Sequence, residues 1–223
     1  MTPPEIVYED KNIIAVNKKA GMPVQPDLTG DKSLLEYVEE HTDTKAFLVS
    51  RLDRPVSGLI LLAKNKKFAS LLSRALQDAG TQKIYYAITE NKCKKDRGVF
   101  EDLLLKKDKK AHIIEKPHPK AKKALLQYEY MGKSERYFFY KIKLLTGRFH
   151  QIRSQFAFRH CPVKDDVKYG ARRSNRDKTI FLHSYQLILP YPGQQDRILR
   201  LTAPFPEGVL WDVLRKKIEK TKV

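Results

Sequence analysis

Four strand-length segments, about 99–105, 111–115, 123–131 and 136–145, follow one another with no helical interval between them. That succession constrains the fold more than any other feature of the chain. Further strand-length runs fall at 5–8, 13–17, 47–50, 59–63, 83–89, 179–189 and 197–203. Helical spacing is confined to 33–41, 66–79, 148–158 and a basic amphipathic stretch at about 207–220. In 66–79, Phe68, Leu71, Leu72, Ala75, Leu76 and Ala79 recur at that spacing, with Asn65 placed to cap the start and Gly80 to close the end. In 148–158, Phe149, Ile152 and Phe156 share the inward face. Strands outnumber helices and do not alternate with them, which predicts an α+β fold around a large mixed, mostly antiparallel sheet.

At 223 residues the chain suits one large domain or two small lobes sharing a core. Neither a repeat nor a linker divides it, so 1–223 reads as a single domain. Hydrophobic residues make up 41%, which excludes a disordered tail. The start lacks a basic stretch followed by an apolar one, and the longest clean apolar run, 59–63, is too short to cross a bilayer, so no membrane is expected. Cys93 and Cys161 make neither a disulfide framework nor a zinc pattern, and a reducing, cytoplasmic setting fits them.

Charge supplies the first functional clue. The formal net charge is +18, and residues 1–50 carry 5 basic and 9 acidic side chains, a balance of −4, leaving +22 for the remainder. A one-sided surplus of this kind suits a polyanionic partner, although a solvated lysine-rich surface gives the same number. Residues 92–123 hold 12 basic and 5 acidic side chains and predict basic hairpins at a sheet edge.

Three segments carry candidate chemistry. Asp53 stands between Arg51 and Arg54 in a Pro- and Gly-bearing loop between two apolar runs. Flanking arginines favour its ionised form and suit phosphate contact, while a turn aspartate accepting backbone bonds has the same signature. Thr146 to Arg153 gathers Arg148, His150, Gln151 and Arg153 at a helix start after Gly147, where backbone N–H groups can meet phosphate. On the run Lys83-Ile84-Tyr85-Tyr86-Ala87, alternation puts Lys83, Tyr85 and Ala87 on one face, with a tyrosine for base stacking or for the core. No Gly-rich phosphate cradle and no Cys/His cluster appears, so the expected chemistry uses no cofactor and no metal.

Together these segments resemble the RluA-type pseudouridine synthases over almost the whole chain. The family's Asn-Lys-Pro-x-Gly-x-x-Val is matched by Asn17 to Val24, with Lys19 at the proline position. Its His-Arg-Leu-Asp-x-x-Thr-Ser-Gly is matched by Ser50 to Gly58, with Ser50 for His and Val56 for Thr. Lys-x-Tyr-x-Ala matches Lys83, Tyr85 and Ala87, and Gly-Arg-x-His-Gln-Ile-Arg matches Gly147 to Arg153. Leu182-His183 and Ala203-Pro204-Phe205-Pro206 follow in order. Gln155 replaces a usual His, and in the stretch His160 to Gly170 two family glycines have become His160 and Asp165.

The resemblance implies a sheet in two halves with flanking helices and an active-site cleft between them, on a stand-alone catalytic domain without an S4-like RNA-binding module. It implies isomerisation of uridine in ribosomal or transfer RNA to pseudouridine, by a monomer. Asp53 would be the essential carboxylate, Arg153 its ionic partner, and Tyr85 the ring against the uracil. Ile152 would pack on the base; Arg51, Arg54, Arg148, His150 and Gln151 would contact the RNA. Lys106, Lys107, Lys109 and Lys110 would lie at the periphery. The competing class is an RNA-binding or assembly protein on the same fold without chemistry. A DNA-binding regulator lacks the helix-turn-helix or zinc-finger pattern it would need.

Overall fold

The computed structural model describes residues 3–221. Eleven strands and four α-helices are present among them: β1 (Glu5–Glu9), β2 (Ile13–Lys18), α1 (Leu34–Thr42), β3 (Phe47–Leu48), β4 (Ser57–Ala63), α2 (Lys66–Ala75), β5 (Gln82–Thr89), β6 (Arg97–Lys107), β7 (Lys110–Ile114), β8 (Lys122–Lys133), β9 (Phe138–Leu144), α3 (Gln151–Phe158), β10 (Leu182–Tyr191), β11 (Gln194–Thr202) and α4 (Val209–Thr221). The fold is α+β with mixed strand pairing, as the strand-rich pattern predicts. No helix among the described residues is long and apolar enough to cross a membrane.

The chain divides into two compact units. The first runs to Lys83 and takes in His183–Pro206; the second is Ile84–Leu182 and the chain from Glu207. In the first, the strand order is β1-β2-β4-β10, with β3 also on β4 and β11 on β10. All of these pairs are antiparallel except β4 with β10. Both faces are covered, and alternation along the strands shows it. Ile13, Ala15, Leu59, Leu61 and Ala63 join Phe68 and Leu72 of α2 in one cluster. Ile14, Val16, Ile60 and Leu62 join Leu34 and Val38 of α1 in the other. Double burial is why β4 reads as an unbroken apolar run with no polar alternation. Ser33 and Glu36 close a reciprocal capping box at the start of α1, which fixes its N-terminus.

In the second unit the order is β5-β9-β8-β6-β7, all antiparallel. Phe156 of α3 packs into an aromatic core with Phe100, Tyr128 and Tyr140, at ring separations of 5.3, 6.0 and 5.5 Å. The expected basic hairpin is β6–β7 at the sheet edge. Its two-residue turn, Asp108-Lys109, has both φ values positive, 47° and 57°, the geometry that matches the twist of paired strands. Trp211 of α4 stacks on Phe181 at 5.6 Å.

Three expectations are corrected. Helix α2 stops at Ala75, because Thr81 Oγ1 (2.6 Å) and Lys83 Nζ (2.5 Å) donate to the carbonyls of Ala75 and Leu76 and cap the end before Gly80 is reached. Helix α3 begins at Gln151, because His150 sits in the left-handed region at φ 51° and cannot continue a helix towards Arg148. Phe149 is consequently not inward but 39% exposed. Finally, Cys93 and Cys161 are not separate thiols: they form a disulfide, their Cα atoms 5.6 Å apart across 68 residues of sequence. Two cysteines that the fold brings together suffice for one bridge, and spacing along the chain carries no sign of it.

Candidate active site

Asp53 is half-buried in the turn before β4, where its carbonyl accepts from Val56 N at 3.0 Å. The turn rests on Lys18, the last residue of β2. Lys18 is fully buried, and its ammonium donates to the carbonyls of Lys19 (2.9 Å), Met22 (3.0 Å) and Arg54 (3.1 Å). An ammonium has three donors and no acceptor, so these carbonyls use all of it. Burial pushes Lys18 down to about 7, the negative charge of Asp53 pulls it up, and Arg54 pushes it down. Lys18 thus lies buried within electrostatic reach of Asp53. A lysine at the end of an apolar strand gives no sign of burial in the sequence.

Arg51 is exposed. Arg54 turns to its own protein: its guanidinium donates to Asp27 (3.1 Å) and Thr29 (2.7 Å) and pairs with Asp31, clamping residues 27–31 to the turn. Gly58 follows at φ +111° with its Cα pressed against β10. A Cβ there would lie 2.2 Å from Ser184 O and 2.6 Å from Ser184 N, so only glycine lets β4 and β10 pair beneath the turn.

Beside it, the Ser57 hydroxyl and His183 Nδ1 are 2.9 Å apart, and His183 Nε2 faces Ala203 O at 3.4 Å. The carbonyl can only accept, so Nε2 carries the proton and Nδ1 accepts from Ser57. Burial pushes His183 down to about 4, so the ring is neutral near pH 7.

The second unit holds the other candidates. Tyr85 lies half-buried on β5, opposite Ile142 of β9. Arg153, on the first turn of α3, is bound at two points by Asp166, Nε to Oδ2 at 2.7 Å and Nη2 to Oδ1 at 2.9 Å. Both side chains are buried. The Tyr169 ring stands 5.0 Å from the guanidinium carbon. The Tyr169 hydroxyl oxygen accepts from Ala111 N (2.7 Å) and lies 2.8 Å from His150 Nδ1. His150 is buried here. Burial, with the charges of Arg153, Lys168 and Lys106, pushes it down to about 3.

The remaining residues of this segment divide by role. Gln151 knits the preceding turn: Oε1 accepts from Thr146 Oγ1 (2.8 Å) and Arg148 N (3.0 Å), and Nε2 donates to Leu125 O (3.1 Å). Ile152 is buried, and Arg148 is exposed with Nε on Lys123 O at 2.9 Å. The first turn of α3 is buried, and Gln151 N is taken by Arg148 O at 3.1 Å.

Asp166 and Tyr169, which fix Arg153 and His150, lie in the Lys164 to Gly170 run, whose only sequence signal is its match to a family motif with altered glycines. Those changes keep the backbone: His160 (φ 60°) and Asp165 (φ 67°) both adopt the left-handed conformation glycine would have, which His and Asp tolerate better than most residues. Lys164 Nζ brackets both Asp165 carboxylate oxygens at 2.7 Å. Gln155, at the usual His position, donates to Asp102 (2.6 Å) and the Phe100 carbonyl (3.2 Å), joining α3 to β6.

From Lys18 through Asp53 and Tyr85 to Arg153, the candidate residues all fall within 12–158, the span that matches the family described as RNA pseudouridylate synthase. The chain belongs to this family. It is 32% identical over 224 residues to the tRNA pseudouridine synthase C of Yersinia pestis, covering 91% of this chain and 87% of that protein. It is 33% identical over 191 residues to the ribosomal large subunit pseudouridine synthase C of Rickettsia bellii, covering 82% of this chain and 63% of that one. Against the tRNA pseudouridine synthase C of Pectobacterium carotovorum, it spans 56% of the relative's length. Among solved structures, human RNA pseudouridylate synthase domain containing 4 superposes with a TM-score of 0.75 at 22% identity, over 96% of this chain and 93% of that one. That likeness concerns the fold, and the pseudouridylate synthase fold is the one this chain adopts.

Proposed function

We propose that this chain isomerises uridine in structured RNA, ribosomal or transfer, to pseudouridine, with Asp53 as the essential carboxylate. The observation that carries the reading is Asp53 itself: a half-buried carboxylate on a turn tied down by the buried Lys18, within a family match that spans it. In the reaction the C1′–N1 bond breaks and a C1′–C5 bond forms. C5 loses a proton and N1 gains one, so no electrons leave the substrate and no redox partner is required. One carboxylate, as nucleophile or as base, serves this chemistry, where most glycosidases need two.

Arg153, held at two points by Asp166, is assigned with Asp53 to the catalytic group. Tyr85 is assigned to the uracil face and Ile152 to packing under the base. Arg51 and Arg148 are exposed and suit phosphate contact, and His150 offers a ring nitrogen. Arg54 and Gln151, engaged with their own protein, are assigned to holding the two loops. The target uridine must leave its stack to reach the carboxylate, at a cost of a few kcal/mol that cationic contacts offset.

The reading places the protein with its RNA in the cytoplasm, where reducing conditions oppose the Cys93–Cys161 bond. Its test is tritium release. Transcripts of ribosomal and transfer RNA labelled at uracil C5 should lose label to water on incubation with the protein, because C5 exchanges its hydrogen for the glycosidic bond. Retention of all label across the pooled transcripts would refute the proposal.

A further inference from the structure

The ring of Phe149 has no use in the site described above, yet it is held in place with care. It is 39% exposed, and the His150 ring lies against it, centroids 3.8 Å apart and planes 19° from parallel. His150 is in turn pinned by Tyr169, which is pinned by the Ala111 backbone. The ring therefore rests on a chain of three fixed groups. Lys106, from the exposed end of the β6–β7 hairpin, brings its ammonium 4.7 Å from the Phe149 centroid. Arg148 is exposed next to it, Lys107 and Lys109 are exposed on the same hairpin, and Lys123 is exposed on the adjoining β8. An aromatic platform rimmed by cations is what single-stranded nucleic acid meets on proteins: every base has a π-face, and the cations follow the backbone.

We propose that Phe149 is a stacking platform for a nucleobase flanking the target uridine, with Lys106 and Arg148 on the adjoining phosphates. Lysine carries a long, flexible side chain, so its ammonium can leave the ring for a phosphate as a base arrives. The proposal rests on the isomerase reading for the identity of the RNA, but not for the contact itself.

Trp211 is the only tryptophan and is buried, so Phe149→Trp places a second, exposed emitter on the platform. That variant is titrated with a short single-stranded oligouridylate and, at equal charge concentration, with inorganic polyphosphate. Binding is followed separately by anisotropy of end-labelled oligonucleotide. Stacking predicts quenching by the RNA and none by polyphosphate. RNA that fails to bind, or binds without quenching, or quenching that polyphosphate matches, would overturn it. In turnover, Phe149→Ala should raise KM for the transcript about fivefold to a hundredfold with kcat little changed, and Phe149→Tyr should restore KM. An unchanged KM, or a loss of kcat that Phe149→Tyr does not recover, would also overturn it. Wild-type protein that releases no tritium would count against the isomerase reading alone, since emission reports the contact without turnover.

Discussion

Replacing His183 by glutamine removes a buried titrating ring while supplying an acceptor and a donor for its hydrogen bonds. The glutamine carbonyl accepts from Ser57 as Nδ1 does, and its amide donates to Ala203 O as Nε2 does. In the folded protein His183 sits at about 4, against 6.5 for a free histidine. As pH falls, the unfolded chain takes up its proton first. The contribution of neutral His183 is therefore complete above the unfolded value and is lost as pH drops from 6.5 towards 4. A shift of this size corresponds to about 3 kcal/mol in full, of which about 2 kcal/mol is lost between pH ~8 and pH ~5. Urea unfolding of wild type and His183→Gln at those two pH values measures it. His150 also titrates low, but it does so in both proteins and cancels in the comparison. The wild type should lose about 2 kcal/mol more than the variant on acidification. Equal losses would show that His183 is not held neutral between β4 and β10, and the tautomer assignment would fall with it.

Three further perturbations test the frame around the candidate residues. Gly58→Ala drives a Cβ into the Ser184 backbone at 2.2 Å and strains φ at +111°; a loss above about 3 kcal/mol by denaturant titration is expected, and near-wild-type stability would refute the close approach. Asp166→Ala removes the two-point carboxylate partner of the buried Arg153 and should cost about 3–5 kcal/mol, seen as a lower midpoint at unchanged slope; a neutral effect would deny the ion pair its place. Opening the Cys93–Cys161 bond, which closes a 68-residue separation, should cost about 4 kcal/mol on the chain-entropy account, measured by unfolding with and without reductant. Alkylation of both cysteines in unfolded, unreduced protein would show that the bond is not made.

What the sequence discloses and what it hides divide along physical lines. Local signals transfer well: the Ser33 and Asn65 caps start α1 and α2 where side-chain oxygens meet backbone N–H groups, and apolar alternation locates the strands. Asp53 stands out as a candidate only because it falls among ordered family motifs, since any turn aspartate shares its local signature. Long-range pairings are not legible in this way. Cys93 meets Cys161, and Thr81 and Lys83 end α2, only because the chain folds back on itself. Burial of charge is hidden as well, since Lys18, Arg153 and Asp166 are residue types normally at the surface. Phe149 failed in the opposite direction: helical spacing turned it inward, and one left-handed residue, His150, turned it out.

The most direct test of the central claim is the nucleoside content of RNA treated with wild type and with Asp53→Asn. Unmodified ribosomal and transfer RNA transcripts are incubated with each protein, digested to nucleosides and separated by chromatography, with the variant's fold verified by circular dichroism and its RNA binding by anisotropy. The account predicts pseudouridine from the wild type, none from Asp53→Asn, and equal RNA binding by both. Pseudouridine at wild-type yield from a folded Asp53→Asn protein would contradict it.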